Sequence, residues 1–193
     1  MRKATIQRKT KETDIDLTVN LDGTGQHEIH TGVGFLDHML TAFSVHSNFD
    51  IQLTCKGDLE VDCHHTIEDI GICLGLAFAQ ATEEKAGLTR YGSCTIPMDE
   101  ALTTCHVDVS GRSYLVFNGE FRRDKMGHMD TQMVEEFFRA FASNGKLTLH
   151  LNLIYGKNDH HICESMFKAF AHALKIAVQR SEDGTLLSSK GIL

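Results

Sequence analysis

The chain has 193 residues, 41% hydrophobic and 23% charged, enough to bury a sizeable core in one large domain or two small ones. Its formal net charge of -7 speaks against a general nucleic-acid binder, which carries a basic surface, but leaves room for a local Arg and Lys cluster that holds one phosphate. No apolar run approaches the ~18 residues of a membrane helix, and MRKATIQRKT has charge with no hydrophobic stretch behind it, so a cytoplasmic protein without secretory signal or membrane span is expected.

Residues 3–9 and 14–21 alternate polar and apolar side chains, and LDGTG is a turn signal, so two strands open the chain. Phe35, Leu36, Met39, Leu40 and Phe43 fall at helical spacing and predict a helix over 34–46. FDIQLTC at 49–55 reads as a strand, and KGD turns into a short strand that ends near Val61. From His65 to about Glu84, the residues Ile72, Leu76 and Ala79 mark a helical face, which KAGLTR ends. The second half predicts strands near 93–98, 103–109 and 113–118, a helix at 131–143, a strand at 147–153 and a long helix over about 161–179. NGEFRRDKMGHMDT at 118–131 is the expected mobile loop.

The chain is written twice. TIQR at 5–8 answers to TIPM at 95–98, VNLDG at 19–23 to VDVSG at 107–111, FLDHMLTAF at 35–43 to MVEEFFRAF at 133–141, and FDIQLTC at 49–55 to KLTLHLN at 146–152. HHTIED at 64–69 and HHICES at 160–165 close the two halves. Each match is weak, but the ordered series predicts two similar halves, 1–91 and 92–193, with a ββαββα unit in each. Long helices covering one face of an antiparallel sheet give an α+β architecture, with the halves forming one compact unit.

Histidine is the compositional outlier, with 12 copies. In a helix, positions four apart lie about 40° apart around the axis and neighbours about 100° apart. His64 or His65 can therefore share a face with Glu68, but adjacent imidazoles point to different places. The economical reading is that each HH pair serves two different metal sites, and that the repeat makes two equivalent sites. Imidazoles with carboxylates suit Mn, Fe or Zn, and no cysteine has zinc-finger spacing. His38, on the helix before the first pair, adds a ligand; the repeat puts Glu136 opposite it. His27, His30, His46, His106, His128, His150 and His172 are read as surface, strand-face or supporting residues. Phe138, Phe141, Phe167 and Phe170 are read as core, and the six cysteines, with no CxxC, as reduced and mostly buried thiols.

GVGFLDHML, DCHHTIEDIGICLG, PMDEAL, VDVSGRSY, GKNDHHICESMFKAF and the closing SSKG together resemble the imidazoleglycerol-phosphate dehydratase family of histidine biosynthesis, from RKTKET near residue 8 onward. The resemblance implies duplicated ββαββα halves of the ribosomal protein S5 domain 2-like kind, in a homo-oligomer of 24 subunits. It implies two Mn²⁺ per active site, with other divalent transition metals as alternatives, and sites formed between subunits. The implied substrate is a phosphorylated imidazole, imidazole glycerol phosphate, and the implied products are imidazole acetol phosphate and water.

Carried onto this sequence, the resemblance implies His38, His65, Glu68 and His160 for one ion, and His64, His161 and Glu164 for the other. Glu136 stands where some members have histidine; it binds metal through oxygen or that ligand comes from elsewhere. Arg90, Arg112, Lys168, Ser188, Ser189 and Lys190 are the implied phosphate donors. Glu12, Glu68 and Glu164 are the implied proton carriers, with Glu12 touching substrate. Asp99 and Glu100 read as structural. Ser113 and Leu187 stand where the family usually has proline. A di-metal hydrolase and a metal-storage shell use similar ligands, but storage needs no phosphate donors.

Overall fold

The computed structural model describes residues 1–181 and 184–191. The first half runs β1 (Lys3–Lys9), β2 (Thr13–Asn20), β3 (His27–His30), α1 (Gly34–Ser47), β4 (Asp50–Gly57) and α2 (His64–Ala81). The second runs β5 (Tyr91–Met98), β6 (Ala101–Asp108), β7 (Tyr114–Asn118), the short pair β8 (Lys125–Met126) and β9 (Met129–Asp130), α3 (Gln132–Gly145), β10 (Thr148–Tyr155) and α4 (Asp159–Ala177). The sheets have matching orders, β1-β2-β4-β3 and β5-β6-β10-β7.

The duplicated α+β halves of the sequence reading stand, with two corrections. The third strand of the first half is β3, ahead of α1. No strand follows β4, where the chain makes turns and leaves Leu59 and Val61 at 38% and 64% exposure. The sheets are also not wholly antiparallel: β3 runs parallel to β4, and β7 to β10.

Strand alternation aims Ile15, Leu17, Val19, Ile51 and Leu53 at the helices and leaves Asp14, Asp16, Gln52 and Thr54 outside. On α2 the buried residues are Ile67, Ile70, Cys73, Leu74, Ala77 and Phe78, so the face expected from Ile72, Leu76 and Ala79 is the wrong one; Leu76 is exposed. Phe138, Phe141, Phe167 and Phe170 are buried, with Phe141 and Phe170 edge-to-face at 4.9 Å. All six cysteines are free thiols, and burial pushes Cys55 up to about 12 and Cys73 up to about 11.

Helices α2 and α4 lie on their own sheets, while α1 packs on α4 and α3 packs on α2. Each helix bearing HHxxE is therefore crossed by the first helix of the other half. The α2–α3 contact depends on glycine: a Cβ at Gly71 would stand 2.8 Å from the Phe137 carbonyl oxygen, and one at Gly75 2.7 Å from that of Phe141. The apolar residues of both halves form one continuous core.

Candidate metal centre and anion pocket

Local chemistry starts the two HHxxE helices. The Asn158 side chain accepts from the His160 N–H at 3.0 Å, capping α4, and Asp62 accepts from the His64 N–H at 2.7 Å at the start of α2. Adjacent histidines then diverge as helix geometry requires: the His64 and His65 rings stand at 83°, and those of His160 and His161 at 81°.

The α1–α4 crossing brings His38, His160 and Glu164 together, with one possible ligand atom of each inside a 4.8 Å span. His160 Nε2 lies 3.1 Å and His38 Nε2 3.5 Å from Glu164 Oε2. Both imidazoles are half exposed, while Glu164 is buried behind them. Lys168 Nζ donates to Glu164 Oε1 at 2.7 Å. Burial raises the Glu164 pKa, but the Lys168 hydrogen bond and charge, with His38, outweigh it and leave the carboxyl below its ordinary range.

The α2–α3 crossing repeats this in looser form. His64 Nε2 lies 3.7 Å from Glu68 Oε2, and His64 and Glu136 line one cleft; Glu136 also meets Arg139 at 3.5 Å. Within one chain, Glu164 therefore groups with His38 and His160, and Glu68 with His64, an exchange of carboxylates relative to the grouping the resemblance implied.

His65 and His161 face elsewhere. Asp58 holds His65 Nδ1 at 3.0 Å, and Glu100 holds His161 Nδ1 at 2.7 Å. These hydrogen bonds raise both imidazole pKa values, and the one to His161, with N–H donation from Asn158 and Lys157, takes Glu100 down to about 2. Carboxylates that fix one ring nitrogen leave Nε2 presented, a common support for metal-binding histidine. Glu12 lies 3.7 Å from His65 Nε2, and Asp99 3.6 Å from His161 Nε2. Sequence reasoning missed Asp58 as a partner. The signal was available, since the loop residue precedes HH at short range, but its burial was not readable.

The phosphate donors divide. Arg90, Arg112, Ser188, Ser189 and Lys190 line one cavity of about 570 Å³. Lys168 is not among them, being committed to Glu164. Arg90 is itself pinned: it donates to both Asp108 oxygens, at 2.7 and 3.2 Å, and to the Leu187 carbonyl, which ties the SSKG turn to β6. Arg112 is the exposed guanidinium of the cavity, 3.6 Å from Asp108. Of the histidines read as bystanders, His46 and His172 form a pair, Nδ1 to Nε2 at 3.1 Å, between α1 and α4.

Imidazoles and carboxylates converging from crossed helices beside a separate cationic cavity define an enzyme of small-molecule chemistry. A family model for imidazoleglycerol-phosphate dehydratase matches residues 31–174. An imidazoleglycerol-phosphate dehydratase of Clostridium botulinum (strain Alaska E43 / Type E3) is 54% identical over 192 residues, covering 100% of this chain and 98% of its own. One from Lactococcus lactis subsp. cremoris (strain MG1363) is 56% identical over 199 residues, covering all of both chains. The crystal structure of the Staphylococcus aureus subsp. aureus N315 enzyme superposes with a TM-score of 0.85 at 42% identity, covering 93% of this chain and 99% of its own. The chain belongs to the imidazoleglycerol-phosphate dehydratase family, whose activity is a hydro-lyase step of histidine biosynthesis.

Proposed function

We propose that the chain is a cytoplasmic enzyme that dehydrates D-erythro-imidazole glycerol phosphate to imidazole acetol phosphate and water, with two divalent ions, Mn²⁺ first among them, per active site. The observation that carries this reading is the convergence of His38, His160 and Glu164, echoed on α2 by the His64–Glu68 pair, with Glu136 lining the same cleft as His64. Mixed imidazole and carboxylate donors suit manganese. Each group is incomplete for such an ion, and the presented Nε2 of His65 or His161 from another copy completes it. That is the physical reason for a homo-oligomer, with the family's 24-subunit particle as the expected form.

When bound, the ions would supply Lewis acidity that holds the substrate's imidazole as imidazolate, whose electrons help expel the hydroxyl on the carbon attached to the ring. Glu164, held ionised by Lys168, acts as a ligand. Glu12 sits half exposed in the β1–β2 turn, and the 3.7 Å approach of His65 is the one side-chain contact of its carboxylate among the described residues. It is the base that takes the proton from the next carbon along, which keeps its own hydroxyl. The C–O bond then breaks, the hydroxyl leaves as water with that proton, and the enol left behind becomes the ketone. Arg112, Ser189 and Lys190, on the platform that Arg90 braces, hold the phosphate.

The test is turnover. Metal-replete, assembled protein incubated with imidazole glycerol phosphate forms the acetol phosphate; no product from such protein would refute the reading.

A further inference from the structure

Residues 31–33 join β3 to α1 in the first half, whereas residues 119–131 join β7 to α3 in the second. This insertion breaks the duplication. The sequence reading made it a mobile loop, but the structure ties it down. Buried Asp159, beside His160, accepts the backbone N–H groups of Arg122 and Arg123, the latter at 2.8 Å. Thr131 donates to the Arg123 and Asp124 carbonyls, and Met126 and Met129 are buried. The Gly127 turn lies against Phe35, whose ring meets that of His160 edge-on at 5.2 Å.

With its backbone so anchored, the insertion presents its cations outward. Arg122, Arg123 and Lys125, joined by Lys157, line a cavity of about 730 Å³ around His160 and His161. Among the described residues none of these four side chains has a carboxylate partner. Asp159 is taken up by backbone N–H groups, and Glu100 by His161 and two more. In a chain of net charge -7, four unpaired cations around one opening are a local field of the opposite sign.

The other HH pair is approached by an acidic loop, and Lys125, His128 and Asp130 of the insertion line its cleft within the same chain. The loop reads DLEVD at 58–62, with Glu60 and Asp62 exposed and Leu59 and Val61 open to solvent. If His65 of one copy completes the His38, His160 and Glu164 trio of another, as proposed above, this loop must arrive with it. It would then meet the cations that rim His160.

We propose that the 119–131 insertion is a docking collar for a second copy of this chain, receiving the acidic 58–62 loop that leads into His64 and His65. The inference rests on the shared-site reading. Opposite charges facing each other give the contact a direction, the second-half site of one copy against the first-half site of the next, and disfavour pairing of like halves.

The test is sedimentation of full-length protein during Mn²⁺ titration, at about 50 and about 500 mM salt, where screening differs several-fold. Arg122→Glu with Arg123→Glu changes exposed side chains that pair with nothing, and a melting curve checks the fold. This variant needs about tenfold more metal for half-assembly at low salt, and adding Glu60→Arg restores the midpoint to within about threefold. Asp62 stays, because it caps the His64 N–H. A reversed variant that assembles like wild type at both salts overturns the collar while leaving the shared site standing. So does one with normal assembly but a raised KM, which would make the collar an anion subsite for substrate. Wild-type protein that stays monomeric with metal present overturns the shared-site reading, and the collar with it.

Discussion

Replacing Gly71 by alanine perturbs one proposed metal site and spares the other. The new methyl would stand 2.8 Å from the Phe137 carbonyl oxygen and 2.9 Å from the Ala140 Cβ, where carbon contacts settle near ~3.5 Å or beyond. Both obstacles belong to α3 or its backbone, so α3 must back away from α2 by roughly half an ångström or more. Overpacking of this kind costs about 1–3 kcal/mol, and the better helix propensity of alanine returns about 1 kcal/mol. The net loss of about 1 kcal/mol lowers Tm by roughly 2–4 °C in a chain of this length. Phe137 is the neighbour of Glu136, so the same shift moves Glu136 back from the cleft it lines with His64. The α1–α4 crossing does not pass through this contact. Calorimetry with metal analysis of the washed protein should therefore show a modest Tm loss and one bound ion per chain retained of two. A variant with wild-type Tm and full metal content would refute the packing argument; loss of both ions would refute the independence of the crossings.

Other outcomes follow from the same geometry. Lys168→Met leaves the buried Glu164 carboxylate without its ammonium partner, so its pKa climbs and Mn²⁺ binding falls at mildly acid pH more than at pH 8; an unchanged pH profile of metal binding would count against it. His65→Ala abolishes turnover, whereas His172→Ala barely changes it, by steady-state kinetics. Burial, with positive charge from Lys175 near His172, holds the His46 and His172 pKa values below the ordinary 6.5, so the folded state resists protons that the unfolded state accepts. Stability is then full above that value and declines as pH falls from it toward the lower folded values. Urea unfolding across pH 7.5 to 5 checks this, and His46→Asn should flatten the slope.

The fold was legible where local pattern carries it. YLVFN announced β7, but its counterpart HEIH did not announce β3. Only Ile29 of those four residues is buried, and the strand survives by pairing in parallel with distant β4. DLEVD alternates like a strand yet has no neighbour to pair with, so it forms turns. The repeat was sound in order but slipped in register: strand pairing sets Ala4 opposite Val19 and Gly92 opposite Val107, which aligns Thr5 with Ser93 rather than Thr95. The wrong face of α2 has the same origin, since its burial depends on α3, a contact about 65 residues away that periodicity cannot register. At the site, the divergence of paired histidines followed from helix geometry alone. The pairing of Glu68 with His64 and of Glu164 with His160 followed from i,i+4 spacing on one helix as well; that His38 joins Glu164 did not, because that is decided where α1 crosses α4.

The central claim is that two ion sites per chain, built on these crossings, support dehydration of imidazole glycerol phosphate. Its most direct test is titration of metal-stripped protein with Mn²⁺ while acetol phosphate formation is followed. The account predicts no turnover without metal and activity that climbs to a plateau at two equivalents per chain. Full activity in stripped protein, or none at any metal loading of assembled protein, would contradict it.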